Sequence, residues 1–198
     1  MSMVELQHRL IPTPALTNFV SINQNIAVSD FDSPTFGSIK SVVKADLNQD
    51  QDGLCAYCEC QLAANAGQLD HIKPKAGKHA YPQLCFEYSN LAHSCINSRT
   101  CGQKKKGGLL PIEPGIGCNA KWLLSTNGTI EPVLGLTRRQ KHDANQTRDM
   151  LGLNNDSNLV DERKRWLGNA LAILQSNPPA SSSFLQQAPY RHILATVL

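Results

Sequence analysis

At 198 residues with a formal net charge of +3, the chain is too short for two enzyme domains, and its charge alone does not indicate a nucleic acid partner. Hydrophobic residues make up 41% and charged residues 18%, which excludes a disordered chain, and no apolar run reaches the roughly 20 residues of a membrane-spanning helix. Residues 1–14 lack the uninterrupted apolar segment of a secretory signal, so we expect a cytoplasmic protein with reduced cysteines.

The predicted elements begin with an irregular arm. Pro12, Pro14 and Pro34 interrupt residues 1–35, and the apolar residues there show no clear periodicity. A helix follows over residues 36–47, where apolar residues recur at helical spacing.

The chain changes character after Pro114. The segments predicted there are strands at 121–124 and 129–133, a helix from the N-cap Thr137 to about Leu151, a helix at 158–175 and a linker at 176–183. The turn residues Asn127 and Gly128 favour a hairpin, and Thr137 is a typical N-cap. This region is therefore expected to be mainly helical.

Two pairs of cysteines predict a metal site. Cys55 and Cys58 form a Cys-x2-Cys pair, and Cys95 and Cys101 form a second pair with a wider gap. Two such pairs can close a tetrahedral cage of thiolates around zinc. Four thiolates leave no open coordination position, so this zinc is expected to be structural.

Other readings of the cysteines remain open. Cys60, Cys85, His93 and Cys118 are alternative ligands. Cys60 follows Cys58 so closely that the two cannot easily share one knuckle, and Cys85 is expected to be a buried apolar residue. A redox role for Cys55 and Cys58 would need a preceding strand and a following helix, whereas Gln51-Asp52-Gly53 favours a knuckle.

The segment Asp70-His71 carries the chemistry expected of phosphodiester hydrolysis. Asp70 offers a hard oxygen ligand for Mg²⁺ or a similar cation, and His71 can take a proton from water at neutral pH. Asn90, further along the chain, can hold the imidazole in one orientation through a side-chain hydrogen bond. The alternative is that a His near Pro74 belongs only to a turn.

Basic residues follow both motifs. They are Lys73, Lys75, Lys78 and His79 after the first, and Arg99, Lys104, Lys105 and Lys106 after the second. If the motifs converge in space, these charges surround one site; otherwise they are solvated surface residues. Arg163, Lys164 and Arg165 in the helix at 158–175 could bind nucleic acid, bind a partner or be solvated.

The order of these motifs resembles that of the zinc-containing HNH endonucleases, whose site is a ββα-metal unit of two strands and one helix. The resemblance implies that Asp70 binds the catalytic metal, that His71 is the general base and that Asn90 orients it. The third position of the family motif, usually Asn or His directly after the last cysteine, is Gly102 here. Gln103, Asn97 or water would then substitute as the second metal ligand.

The resemblance is closer to the PtuB-type HNH effectors of Septu and retron-associated anti-phage systems, over about residues 50–175. It rests on Cys55-Ala-Tyr-Cys58-Glu59, on Tyr81-Pro82 leading to Phe86-x-Tyr88-x-Asn90-Leu91, and on Gly128-x-Ile130-x-Pro132 followed by Leu151-Gly-Leu-Asn154. It implies a toxic nuclease that acts with a PtuA-like ATPase in antiviral defence.

We therefore predict an α+β fold with a small zinc-stabilised ββα-metal core at residues 51–112. An N-terminal arm and helix at 1–50 and a mainly helical region at 113–198 flank this core. The expected cofactors are structural Zn²⁺ and catalytic Mg²⁺ or Mn²⁺, and the expected substrate is DNA or RNA, possible RNAs including tRNA. The alternatives are a non-catalytic zinc-ribbon module that binds nucleic acid, which Gly102 favours, and a redox protein.

Overall fold

The computed structural model describes residues 3–197 of the chain. Its helices and strands are α1 (Pro14–Ile22), α2 (Pro34–Asp50), β1 (Gln68–His71), β2 (Leu91–Ser94), α3 (Cys101–Lys105), β3 (Trp122–Leu124), β4 (Ile130–Pro132), α4 (Arg138–Met150), α5 (Ser157–Ser176), α6 (Ser181–Gln187) and α7 (Arg191–Leu194). Short 3-10 helices lie at Val28–Asp32, Pro82–Leu84, Tyr88–Asn90, Cys118–Lys121 and Pro178–Ala180. The predicted α+β class is confirmed. Residues 1, 2 and 198 of the predicted arm and C-terminal region lie outside the described residues.

Strands β1 and β2 and helix α3 form the ββα unit at the centre of the chain. The two strands are antiparallel, and their register pairs Asp70 with Ala92 and His71 with Leu91. Helix α3 begins shortly after β2, and the backbone N–H of Gly102 donates to the Ser94 hydroxyl at 3.3 Å. The helix is thereby held beside the end of β2.

The N-terminal arm is more regular than the sequence analysis predicts. Pro14 lies in the first turn of α1, where the missing N–H of proline leaves no hydrogen bond unmade. The prediction of an irregular arm was therefore wrong over α1, whereas the helix predicted at 36–47 is confirmed as α2. One apolar cluster joins both helices to the central unit: Leu16, Phe31, Phe36, Val43, Leu47, Cys85, Tyr88 and Leu91.

The C-terminal region follows the predicted pattern up to Ser176. Strands β3 and β4 pair antiparallel, as expected from the turn between them. Thr137 caps α4 with a reciprocal pair of bonds, since its hydroxyl accepts from the N–H of Gln140 at 3.3 Å and Gln140 Oε1 accepts from the N–H of Thr137 at 3.0 Å. The linker predicted at 176–183 was wrong, because a 3-10 turn and the start of α6 occupy it.

Arg163 of α5 is a structural residue. Its side chain is fully buried, with Nε donating to the Gly128 carbonyl at 3.0 Å and Nη2 to the Leu153 carbonyl at 2.6 Å. These bonds tie α5 to the turn of the β3–β4 hairpin. Arg163 is therefore unavailable to nucleic acid or to a partner, while Lys164 and Arg165 remain exposed.

The core extends across the whole described chain. Met3 and Leu194, near opposite ends, belong to one hydrophobic cluster that also contains Cys55 and Trp122. The division of the chain at residues 50 and 112 stays a prediction. Within residues 3–197, none of the helices has both the length and the apolar character needed to cross a bilayer.

Candidate active site and cysteine cluster

Asp70 and His71 line one groove on the surface of the ββα unit. The groove has a volume of about 620 Å³. Its walls come from β1 and the loop that follows it, from α2, from the two residues after α3 and from the 3-10 helix at Val28–Asp32. The structure therefore brings the two predicted catalytic residues to one open surface.

The Asp70 carboxylate is held by two donors. Its Oδ2 accepts from the Tyr57 hydroxyl at 2.5 Å and lies 3.1 Å from Nζ of Lys105. Lys105 is almost fully buried, and its ammonium also donates to the backbone carbonyl of His71 at 2.7 Å. Burial raises the pKa of Asp70, and the charge of Lys105 opposes this rise.

Gly102 lies directly against the other side of the same carboxylate. A Cβ atom added at Gly102 would lie 3.0 Å from Cγ and 3.2 Å from Oδ1 of Asp70. Gly102, at the third position of the family motif, thus lies against Asp70, the expected metal ligand, but glycine has no side chain that could bind the metal. Asp70 Oδ1 faces this position.

The two substitute ligands considered from the sequence have other contacts. The side-chain amide of Gln103, in α3, donates to Gln68 Oε1, in β1, at 2.5 Å. Asn97 donates to Asp156 at 2.6 Å and lines a different pocket, beside the cysteines. Asp70 is therefore the carboxylate that would hold a catalytic cation. One hard oxygen on an open groove suits Mg²⁺, which usually keeps water and substrate phosphate as its remaining ligands.

The imidazole of His71 is buried and oriented by a backbone carbonyl. Its Nε2 lies 2.9 Å from the Cys85 oxygen, and its ring centroid lies 4.4 Å from that of Phe31. Because a carbonyl only accepts hydrogen bonds, Nε2 carries the proton and Nδ1 keeps its lone pair. Burial lowers the pKa of His71 to about 4, so the ring is neutral at physiological pH.

Asn90 does not make the hydrogen bond to His71 that the sequence analysis expects. Its Oδ1 accepts from the Lys73 N–H at 2.8 Å, and its Nδ2 donates to the carbonyls of Lys73 and Leu84 at 3.0 and 3.1 Å. The amide therefore closes the loop between β1 and β2. Leu84 precedes Cys85, so Asn90 supports the turn whose carbonyl orients His71.

Five cysteine sulfurs gather in one cluster. Those of Cys55, Cys58, Cys60 and Cys95 all lie within 4.8 Å of one another, and Cys101 Sγ lies 3.8 Å from Cys55 Sγ. The four predicted ligands are thus brought together, and Cys60 joins them although it was expected to lie too close to Cys58. A hydrogen bond from Cys101 lowers the pKa of Cys95, whereas hydrogen bonds from the neighbouring sulfurs raise the pKa of Cys60.

The geometry of this cluster fits zinc. Zinc–sulfur bonds of about 2.3 Å place tetrahedral ligands about 3.8 Å apart. The Cys55–Cys101 and Cys58–Cys95 sulfur distances are 3.8 and 3.9 Å, whereas the Cys58–Cys60 distance is 3.3 Å.

The other candidate ligands lie elsewhere. Cys85 is buried, as expected, in the apolar cluster that joins α1 and α2 to the central unit. Cys118 lies near the Met3 carbonyl. His93 contacts Asn48 and the Ala66 carbonyl. Residues 51–60 form turns and an isolated bridge, not the strand and helix of a redox motif.

Several residues around the site were not predicted from the sequence. Whether Lys105 surrounds the site or is a solvated surface residue was left open, yet Lys105 lies four residues after the buried Cys101, a spacing that puts both on one helical face. Phe31 and Lys40 come from the N-terminal part and meet the site only through tertiary packing. No local pattern indicates them.

The chain is 38% identical over 202 aligned residues, covering 97% of this chain and 98% of the relative, to a protein of Vibrio cholerae serotype O1 biovar El Tor named "Retron Vc95 putative HNH endonuclease". No protein-family model matches the chain.

Proposed function

The chain belongs to the HNH endonuclease family, and we propose that it hydrolyses nucleic acid in a metal-dependent reaction carried out at Asp70 and His71. The observation that carries the proposal is the environment of His71. Its Nε2 is fixed on the Cys85 carbonyl, its neutral Nδ1 keeps a lone pair, and the adjacent Asp70 lines the same groove.

The reaction we propose is attack of water on a backbone phosphorus. As the P–O bond to water forms, His71 Nδ1 takes the proton of that water. The bond to the leaving sugar oxygen breaks with its electron pair on that oxygen, which takes up a proton from solvent. A divalent cation at Asp70 would supply stabilisation of the charge that develops on the phosphate oxygens. Lys105 and Tyr57 hold the carboxylate in place, and Asn90 supports the turn that orients the imidazole.

We propose a separate structural role for zinc at the cysteine cluster. Cys55, Cys58 and Cys95 belong both to the set predicted from the sequence and to the most compact group of sulfurs. For the fourth ligand we favour Cys101 over Cys60, because its 3.8 Å distance to Cys55 suits a tetrahedron and the 3.3 Å between Cys58 and Cys60 does not. Cys101 is also the first residue of α3, so zinc there would anchor the helix that carries Lys105.

We propose further that the protein is the effector of an anti-phage defence system. The support is the resemblance to PtuB-type effectors and the similarity to a relative whose name places it in a retron. By that resemblance the protein acts with a PtuA-like ATPase.

The experiment is a nuclease assay of the zinc-loaded chain, alone and with a PtuA-like ATPase. Plasmid DNA and total RNA are incubated separately with Mg²⁺ or Mn²⁺. We expect cleavage of one substrate that requires the divalent cation, and the substrate cut decides between DNA and RNA. Absence of cleavage with the partner, cation and zinc all present would contradict the proposal.

A zinc-ribbon module that binds nucleic acid without cutting it is the second candidate. Gly102, which offers no ligand beside Asp70, is the observation that favours it. This candidate predicts binding of both nucleic acids without cation-dependent cleavage.

A further inference from the structure

The groove at the candidate active site carries four lysines that the proposed reaction does not use. Lys40 and Lys44 come from α2, Lys75 from the loop after β1, and Lys106 from the residue after α3. Lys40 and Lys44 are four residues apart and therefore lie on one face of α2. Three separate parts of the chain thus direct positive charge to the groove that contains His71.

Asp32 bridges two of these lysines. Its Oδ1 lies 3.0 Å from Nζ of Lys40, and its Oδ2 lies 2.6 Å from Nζ of Lys75. These ion pairs lower the pKa of Asp32. The Asp32 side chain is 68% exposed, whereas the side chains of Lys40 and Lys75 are only 29% and 23% exposed. The anion therefore faces solvent and the two cations are set in the wall of the groove.

An aromatic ring fixes both cations next to the catalytic histidine. The Nζ atoms of Lys40 and Lys75 lie 4.3 and 4.4 Å from the centroid of the Phe31 ring. The same ring packs against the imidazole of His71, with 4.4 Å between their centroids. Cation–π attraction holds the two ammonium groups in place before any ligand arrives.

We propose that Lys40 and Lys75 bind a backbone phosphate of the nucleic acid next to the one that is cut, and that Asp32 occupies this site in the free protein. The proposal rests on the proposed nuclease function. A phosphodiester presents one negative charge on two free oxygens, as the Asp32 carboxylate does. The Asp32 carboxylate is the exposed partner of both ion pairs, and ion pairs open to solvent contribute little to stability, so a phosphate can displace it at small cost.

Lys44 extends this phosphate site along α2. Its ammonium donates to the carbonyls of Asn65 and Gly67 at 3.2 and 3.4 Å, and it lines the same groove as Asp70 and His71. It therefore adds a further positive charge to the groove, one helical turn after Lys40.

The test is binding of a fluorescein-labelled DNA duplex and of a labelled RNA hairpin, measured by fluorescence anisotropy on the zinc-loaded full-length chain without added Mg²⁺. We expect Lys40→Gln and Lys75→Gln to weaken binding severalfold. Because the two lysines share one phosphate, we expect the slope of log affinity against log salt to fall by up to about one in either variant and by no more in the double variant. Asp32→Asn should tighten binding severalfold, because the competing charge is removed. Lys141→Gln, an exposed lysine of α4, is the matched control and should change neither quantity.

Two results would overturn the inference. One is an Asp32→Asn protein that binds no more tightly than wild type while keeping its melting temperature. The other is a pair of lysine variants that behave like Lys141→Gln. The nuclease function fails on a different readout, which is absence of cation-dependent cleavage, so the two failures are distinguishable.

Discussion

The ammonium of Lys105 contacts both candidate catalytic residues, lying 3.1 Å from Oδ2 of Asp70 and 2.7 Å from the carbonyl oxygen of His71. Lys105 is 1% exposed, so its charge is compensated inside the protein and not by water. One buried cation thus fixes the end of β1 against α3. This contact predicts that the stability of the site and its activity depend together on Lys105.

Replacing Lys105 by Met should leave the Asp70 carboxylate buried without its counter-charge. We expect the free energy of unfolding, measured in urea, to fall by about 3 kcal/mol. The acid limb of cleavage should also move to higher pH, since the pKa of Asp70 rises when the cation is lost. A double variant, Lys105→Met with Asp70→Asn, should recover part of the stability but no activity. Equal stability of the wild type and of Lys105→Met would contradict this account.

A methyl group at Gly102 should disturb the Asp70 carboxylate. The added Cβ would lie 2.8 Å from Nε2 of Gln68 and 3.0 Å from Cγ of Asp70, both closer than ordinary van der Waals contact, so the Gln68 amide would have to move and the carboxylate would have to shift by a few tenths of an ångström. We expect Gly102→Ala to lose at least tenfold in cleavage rate, because small displacements of a catalytic group have large effects. Gly168→Ala is the control, since no neighbouring atom lies within 4 Å of a Cβ there. Full activity of Gly102→Ala would show that Asp70 tolerates displacement.

Serine substitutions should separate the zinc ligands from the remaining cysteines. We expect one zinc per chain, lost together with the melting temperature in Cys58→Ser and Cys101→Ser, because the metal would supply folding free energy to the ββα unit. Cys85→Ser, outside the cluster, should keep its zinc, and so should Cys60→Ser. Zinc content by atomic absorption and thermal melting are the measurements. Loss of zinc in Cys60→Ser but not in Cys101→Ser would contradict this assignment and would make Cys60, not Cys101, the fourth ligand.

Burial of neutral His71 predicts a loss of stability at acidic pH. The pKa of His71 is about 4 in the folded chain and about 6.5 in an unfolded one, so only the unfolded state takes up this proton between those values. Stability should therefore fall as pH decreases from about 6.5 to 4, by about 3 kcal/mol from this group. Urea unfolding at several pH values should show a shallower dependence for His71→Gln than for wild type. Identical slopes would place the His71 pKa near its ordinary value.

The sequence predicted the elements whose signals are local. Thr137 with Gln140 marks the start of α4, and the turn at Asn127 and Gly128 joins the strands of the hairpin, because caps and turns depend on residues a few positions apart. The N-terminal arm was predicted to be irregular because proline interrupts helices. Pro14 instead lies in the first turn of α1, where proline is well tolerated.

The groove could be predicted only in part. Asp70 and His71 are adjacent at the end of β1, so the motif places their backbones together, but successive strand side chains point to opposite faces and the groove that both line depends on the folded chain. Phe31 contacts His71, and Lys40 contacts Phe31, only because a distant segment packs against the central unit, and no spacing in the sequence encodes these contacts. The prediction that Asn90 bonds to the imidazole was wrong because its side chain bonds to Lys73 and Leu84 in the loop between β1 and β2. These contacts depend on how that loop folds.

The most direct test of the proposed mechanism compares two buried histidines of the same pair of strands. His71 and His93 each contact a backbone carbonyl, of Cys85 and of Ala66, and burial lowers the pKa of both. The measurement is the single-turnover cleavage rate of His71→Gln and of His93→Gln, with Mg²⁺ or Mn²⁺, on protein shown to be folded and zinc-loaded. Loss of a general base should slow His71→Gln by about 10²- to 10⁴-fold and leave His93→Gln within severalfold of wild type. A His71→Gln protein that cuts as fast as His93→Gln would contradict the assignment of His71 as the base.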